Sequence, residues 1–181
     1  FSGSAIPNTS NGILLSLHSA VAVESITFKS FSNTSKYDIL SNFSENLSEL
    51  LFDNHLTAEQ LSKAVAIDRS VIYRYLRKEC LPSLKNSVII ADFLNCSLDF
   101  LFGLSPVNHK SHSKSEASFS LQFRKMLQEN SMTRYEFQKK LGFAEQSIAD
   151  WFHGKRLPSA ENAVRIAQFF ACSLDDLTQR E

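Results

Sequence analysis

Cysteine, glycine and net charge are all scarce in these 181 residues. The three cysteines, Cys80, Cys96 and Cys172, are odd in number and widely spaced. They exclude a disulfide framework and offer no Cys-x-x-Cys pair, which suits a reducing cytoplasm. Nineteen Lys+Arg balance nineteen Asp+Glu, and the pI is near 7.1. That balance excludes a polybasic chain coating nucleic acid by charge alone, but leaves room for a local basic face. Five glycines leave little room for phosphate-cradling loops, and no nucleophile motif or paired His–carboxylate spacing occurs. An enzyme is not expected, nor a cofactor or metal; His109 and His112 lie in a polar stretch without a thiol or carboxylate beside them. Nothing approaches the roughly 18 apolar residues of a membrane span. The nearest run, Ile13 to Val23, is broken by Ser16, His18 and Ser19 and lacks a basic segment before it, so neither membrane nor secretion is expected. The chain opens on Phe1 and its first methionine is Met126, so a start inside a longer product is expected.

What is present is a repeat. Hydrophobic content of 43% and charged content of 21% are ordinary for a globular protein. Shifted by 76, Phe43–Leu101 lies on Phe119–Leu177 without a gap, with about 20 of roughly 59 pairs identical. The expected division is an ill-defined or disordered segment 1–42, a first copy 43–104, a linker 105–118 and a second copy 119–181.

Each copy reads as five short helices and no strand, so the fold class is all-α. Phe43, Leu47, Leu50 and Leu51 form one apolar stripe, matched by Phe119, Phe123, Met126 and Leu127. Thr57–Gln60 and Thr133–Glu136 are capping boxes at one register. A short turn follows at Ala66-Ile67-Asp68 and Gly142-Phe143-Ala144; glycine takes a left-handed turn residue more readily than alanine. The third helices carry Ile72 and Ile148 inward, with Tyr75 and Trp151 expected as partly buried support. Ser83 and Ser159 fit N-caps of fourth helices burying Val88, Ala91 and Leu94, or Val164, Ala167 and Phe170. Ser97 and Ser173 cap a final helix, with Asp99 and Asp175 near its positive end. Phe93, Phe169, Phe170 and Phe152 are expected at or near the core, and Cys96 and Cys172 as packing residues.

Two short helices joined by a tight turn hold the second helix proud of the domain, narrow enough for the major groove. Both copies resemble the Cro/C1-type (XRE, lambda-repressor-like) helix-turn-helix family. The residues that carry the resemblance are Leu56-Thr57, Leu61, Val65, Ile72, Leu81-Pro82-Ser83, Ala91, Ser97-Leu98-Asp99 and Leu101. In the second copy they are Met132-Thr133, Phe137, Leu141-Gly142, Ser147-Ile148, Gly154-Lys155, Leu157-Pro158-Ser159, Ala167 and Ser173 to Leu177. The resemblance implies two tandem five-helix domains joined by a polar linker, binding double-stranded DNA as a transcriptional regulator, with repression expected.

Its reading positions fall on Arg69, Ser70, Tyr73 and Arg74 in the first copy. An arginine there suits guanine, in a bidentate contact worth about 1–3 kcal/mol of discrimination. Tyr73 suits a thymine methyl or a phosphate; Arg77, Lys78 and Lys85 suit the backbone. The second copy has Glu145, Gln146, Ala149 and Asp150 instead. Gln146 suits adenine, the two acids weaken or narrow binding, and Arg134, Lys155 and Arg156 remain for phosphate. Residues 43–104 hold six basic and eight acidic side chains, and 119–181 nine and eight, so neither copy is basic overall. Modest affinity per copy then calls for bivalency or a homodimer. A flexible linker of about 15 residues averages roughly 20–23 Å and stretches to about 50 Å. Half-sites lie about 34–36 Å apart. The alternative is an ordered segment docking the copies together. A rival use is protein interaction or dimerisation of the antitoxin or repressor-partner kind, with the second copy degenerate for DNA. The expected location is the cytoplasm, at the nucleoid when bound.

Overall fold

Ser35 opens the first helix. Its hydroxyl accepts from the Asp38 amide at 3.2 Å while the Asp38 carboxylate accepts from the Ser35 amide at 3.0 Å. This reciprocal cap starts α1 (Lys36–Asp53) about two turns before Phe43. The computed structural model describes residues 35–111 and 119–180. Most of the segment 1–42, and residues 112–118 of the linker, lie outside the described residues. Its last residues, 36–42, are helix rather than ill-defined chain, because the cap and the buried Ile39 extend the stripe of Phe43 and Leu47 toward the N-terminus.

Ten helices and no strand occur among the described residues. The first copy continues with α2 (Ala58–Val65), α3 (Arg69–Leu76), α4 (Leu84–Leu94) and α5 (Leu98–Leu101). The second comprises α6 (Phe119–Glu129), α7 (Arg134–Leu141), α8 (Glu145–Phe152), α9 (Ala160–Phe170) and α10 (Leu174–Thr178). The expected caps form. Thr57 and Thr133 exchange bonds with Gln60 and Glu136, and Ser83, Ser97, Ser159 and Ser173 each accept from an amide three residues on. No described helix is long and apolar enough to cross a membrane.

Each copy packs its long first helix against its third and fifth helices. Phe43, Leu47, Leu61, Ile72, Leu98 and Phe102 are fully buried in the first copy. In the second copy the Phe137 ring lies 5.2–5.9 Å from the rings of Phe123, Phe143, Phe169 and Phe170. Tyr75 and Trp151 are buried more completely than expected, at 3% and 2% exposure. Val88 is only half-buried because Leu84, Ser87 and Ile90 take the inner face of α4. Phe93, on the other side of that helix, is 43% exposed instead of near the core.

The two copies also meet each other. Ser83 and Ser159 form an isolated antiparallel bridge, α4 touches α9, and α5 touches α10. The Asp175 carboxylate accepts from the Leu98 amide at 2.9 Å and the Asp99 amide at 3.4 Å. The Asp99 carboxylate accepts from Leu174 at 3.0 Å and Asp175 at 3.4 Å. Each aspartate thus caps the other copy's last helix, meeting both its orphan amides and its positive end. Arg180 lies beneath, with its side chain fully buried. It donates to the carboxylates of Asp175 and Asp92 and to the carbonyls of Cys96 and Ser111. The linker's first part is ordered by the same network. Ser111 donates to Asp175 at 3.1 Å, and Asn108 accepts from the Ser97 amide at 3.2 Å.

Candidate nucleic-acid interface

The turn between α2 and α3 is made by Ala66 in the left-handed conformation (φ 52°), then the buried Ile67, then Asp68. Asp68 caps α3, accepting from the Ser70 amide at 2.7 Å and from its hydroxyl. Those bonds hold the exposed Asp68 carboxyl below the usual carboxylate range. With Ile72 and Tyr75 turned inward, helical geometry leaves Arg69, Ser70, Tyr73 and Arg74 on the outer face, all exposed.

These cations are not bare. Arg69 pairs with Glu59 of α2, and Arg74 and Arg77 both approach Glu79, at 3.5 and 3.9 Å. Every one of these side chains is about half exposed or more. Such pairs are worth about 0–1 kcal/mol each, so a stronger anion can displace them. The Arg77 guanidinium also lies 5.7 Å from the Tyr73 ring centre. Arg69, Ser70, Tyr73, Arg74 and Arg77 therefore share one helix and its C-terminal turn. Lys78 is drawn back toward α1, donating to Glu45 at 2.6 Å and Ser41 at 2.8 Å. The lysine holds the Glu45 carboxyl below its ordinary range. Lys85 is exposed in the first turn of α4.

The second copy builds the same frame with different chemistry. Gly142 (φ 69°) ends α7, Phe143 is the buried anchor, and Ala144 opens α8 without a side-chain cap. Ile148 and Trp151 point inward. Gln146 donates to Asp150 at 2.8 Å, and Arg156 approaches the same carboxylate at 3.5 Å. The Asp150 charge is thus partnered, while Glu145 stands exposed. A cleft of about 480 Å³ opens where the two helices meet, lined by Arg134, Tyr135, Gln138, Glu145 and Ala149 among others. Arg134 lies 4.8 Å from the centre of the Phe152 ring. Arg124, at 4.9 Å from that ring, also donates to the Phe152 carbonyl at 2.7 Å. Lys155 and Arg156 are exposed in the loop after α8.

Sequence reasoning missed Glu59, Glu79 and Arg124 as neighbours of this face, and Arg180 altogether. None of them carries a spacing signal, because their partners lie on other helices or in the following turn. Burial pushes the thiols of Cys96 and Cys172 up to about 12, so both stay protonated and unreactive. No cluster of three metal-ligating side chains occurs among the described residues.

A family model described as helix-turn-helix matches the chain twice, over residues 50–101 and 123–177. The chain belongs to the helix-turn-helix family. Its two copies are tandem domains of the Cro/C1 (XRE) type, a DNA-binding regulatory class, and the matches cover more than half of the sequence. Within this helix-turn-helix protein, the matched ranges contain the helix pairs α2–α3 and α7–α8, each joined by a tight turn. No curated protein and no solved structure matches it.

Proposed function

We propose that the chain is a sequence-specific double-stranded-DNA-binding transcriptional regulator, a repressor, that inserts α3 and α8 into the major groove. One observation carries the reading. Arg69, Ser70, Tyr73 and Arg74 line the exposed face of the second helix in a family-matched helix pair. Arg69 or Arg74 reads guanine, Tyr73 meets a thymine methyl or a phosphate, and Arg77, Lys78 and Lys85 hold the backbone. In the second copy Gln146 reads adenine and Arg134, Lys155 and Arg156 hold phosphate. DNA breaks the weak surface pairs to Glu59 and Glu79 and releases counterions as it binds. An electrophoretic shift series across salt tests this. Affinity for a duplex that falls steeply as salt rises is the expected result; affinity indifferent to salt contradicts it.

A second reading is favoured by the exposed Glu145 beside the apolar floor of the cleft at Ile148 and Ala149. Here the second copy is a protein-interaction module. In the full chain, Gln146→Ala combined with Lys155→Ala then leaves DNA affinity unchanged, whereas a reader of DNA loses affinity.

A further inference from the structure

The backbone bridge and the aspartate caps between the copies have a property that ordinary domain docking does not require. They are reciprocal, whereas the Arg180 bonds and the Lys36–Glu161 ion pair at 3.5 Å are one-sided. Ser83 bridges Ser159, its own equivalent at an offset of 76. Asp99 bonds the amides of residues 174 and 175, and Asp175 bonds those of residues 98 and 99, at matching distances. Residue i touching j while the equivalent of j touches the equivalent of i is the signature of a two-fold axis. The axis here runs inside one chain. The face that carries these contacts is occupied by the chain's own second copy.

We infer that one chain is a complete two-fold reader, and that its ligand is a non-palindromic duplex with two unlike half-sites at one fixed spacing. This deepens the DNA-reading function proposed above and rests on it. A homodimer imposes palindromy because its two reading helices are identical. In this chain the frame is two-fold but the reading rows are not. Arg69, Ser70, Tyr73 and Arg74 on α3 stand where Glu145, Gln146, Ala149 and Asp150 stand on α8. The cationic row calls for guanine and the Gln146 row for adenine. The spacing is fixed because the copies are held by bonds to buried or half-buried groups, with the fully buried Arg180 side chain joining Asp92 and Cys96 of one copy to Asp175 of the other. A flexible tether would tolerate many spacings. A docked pair tolerates one.

The test is selection from a pool of random duplexes about three helical turns long, using the full chain, followed by native mass spectrometry of the enriched complex. The expected result is an asymmetric motif of two unlike halves about one turn apart, with one chain per duplex. Inserting about half a turn between the halves then lowers affinity at least tenfold. Arg69→Ala combined with Arg74→Ala erases base preference in one half only and Gln146→Ala in the other only, each costing about 5- to 150-fold on the selected site. A palindrome carrying two chains, or an affinity unmoved by the insertion, overturns the inference and leaves DNA reading intact. Failure to enrich any duplex, with no salt-dependent binding, overturns the DNA reading and this inference together.

Discussion

The two copies share a backbone plan and differ in how each position of the plan is held. The first copy's α3 has a side-chain cap, Asp68, but the turn before it rests on an alanine at φ 52°. The second copy's turn is glycine at φ 69°, yet α8 opens on Ala144 with no side-chain cap. After the fifth helix the exchange reverses, with Gly103 at φ 69° in the first copy standing where Gln179 takes φ 56° in the second. The same fold tolerates either solution, because each local defect costs about 1 kcal/mol while each buried core side chain returns about 1.5–3. The two copies are identical over Leu81-Pro82-Ser83 and Cys96 to Asp99, the stretches that include the contact residues Ser83, Cys96, Leu98 and Asp99.

The comparison breaks most severely at Arg180, which has only Leu104 as its counterpart. Arg180→Ala leaves the Asp175 carboxylate and two carbonyls without this partner in a buried place. A loss of about 3–5 kcal/mol is expected in denaturant unfolding. Next comes the interface carboxyl that lacks a guanidinium. Burial, with the adjoining Asp175 charge adding to it, pushes Asp99 from an ordinary 3.8 up to about 7. The folded chain therefore holds a proton that the unfolded chain has released. The stability this gives is complete below about pH 4 and disappears as pH rises through about 7. The denaturation midpoint should fall between mildly acidic and mildly alkaline buffer, and Asp99→Asn should flatten that slope.

The reading rows sharpen the contrast on DNA. Arg69→Ala or Arg74→Ala should cost about 1–3 kcal/mol on the selected duplex and much less on random duplex, by fluorescence anisotropy. Lys78→Ala should weaken both alike. Glycines offer a smaller comparison. A Cβ on Gly103 would lie 2.6 Å from the Cβ of Asn42, on top of its positive φ, whereas Gly142 has open space and only the φ to oppose it. Gly103→Ala should cost about 2 kcal/mol or more, and Gly142→Ala about 1, by thermal melting. Smallest of all, Ala144→Asp should give the second reading helix the cap that Asp68 provides in the first, a gain of about 0.5–1 kcal/mol.

Much of this is legible in the sequence, for a physical reason. Capping boxes, serine N-caps and apolar stripes are bonds between residues three or four apart, so Thr57–Gln60 and Phe43–Leu47 announce themselves in the string. The repeat doubled each such signal. Where the repeat stopped at Phe43, so did the first helix as read, although Ser35 and Asp38 carry a reciprocal cap farther upstream. The hydrogen bonds between the copies join residues 75 to 88 positions apart and have no period to betray them. Asp99 and Asp175 were legible as residues near a positive helix end, but not that the end belongs to the other copy. Ser111 lies in a polar stretch without apolar periodicity and is nevertheless 5% exposed, because a buried aspartate and arginine need its hydroxyl and carbonyl.

Unlike outer rows on α3 and α8, fixed in one symmetric body, give the molecule a left and a right. Seated on a control region, such a protein would point either upstream or downstream, never both at once, and reversing its target would turn the whole particle end for end. Polymerase arriving from one direction would then meet the first copy, and from the other the second.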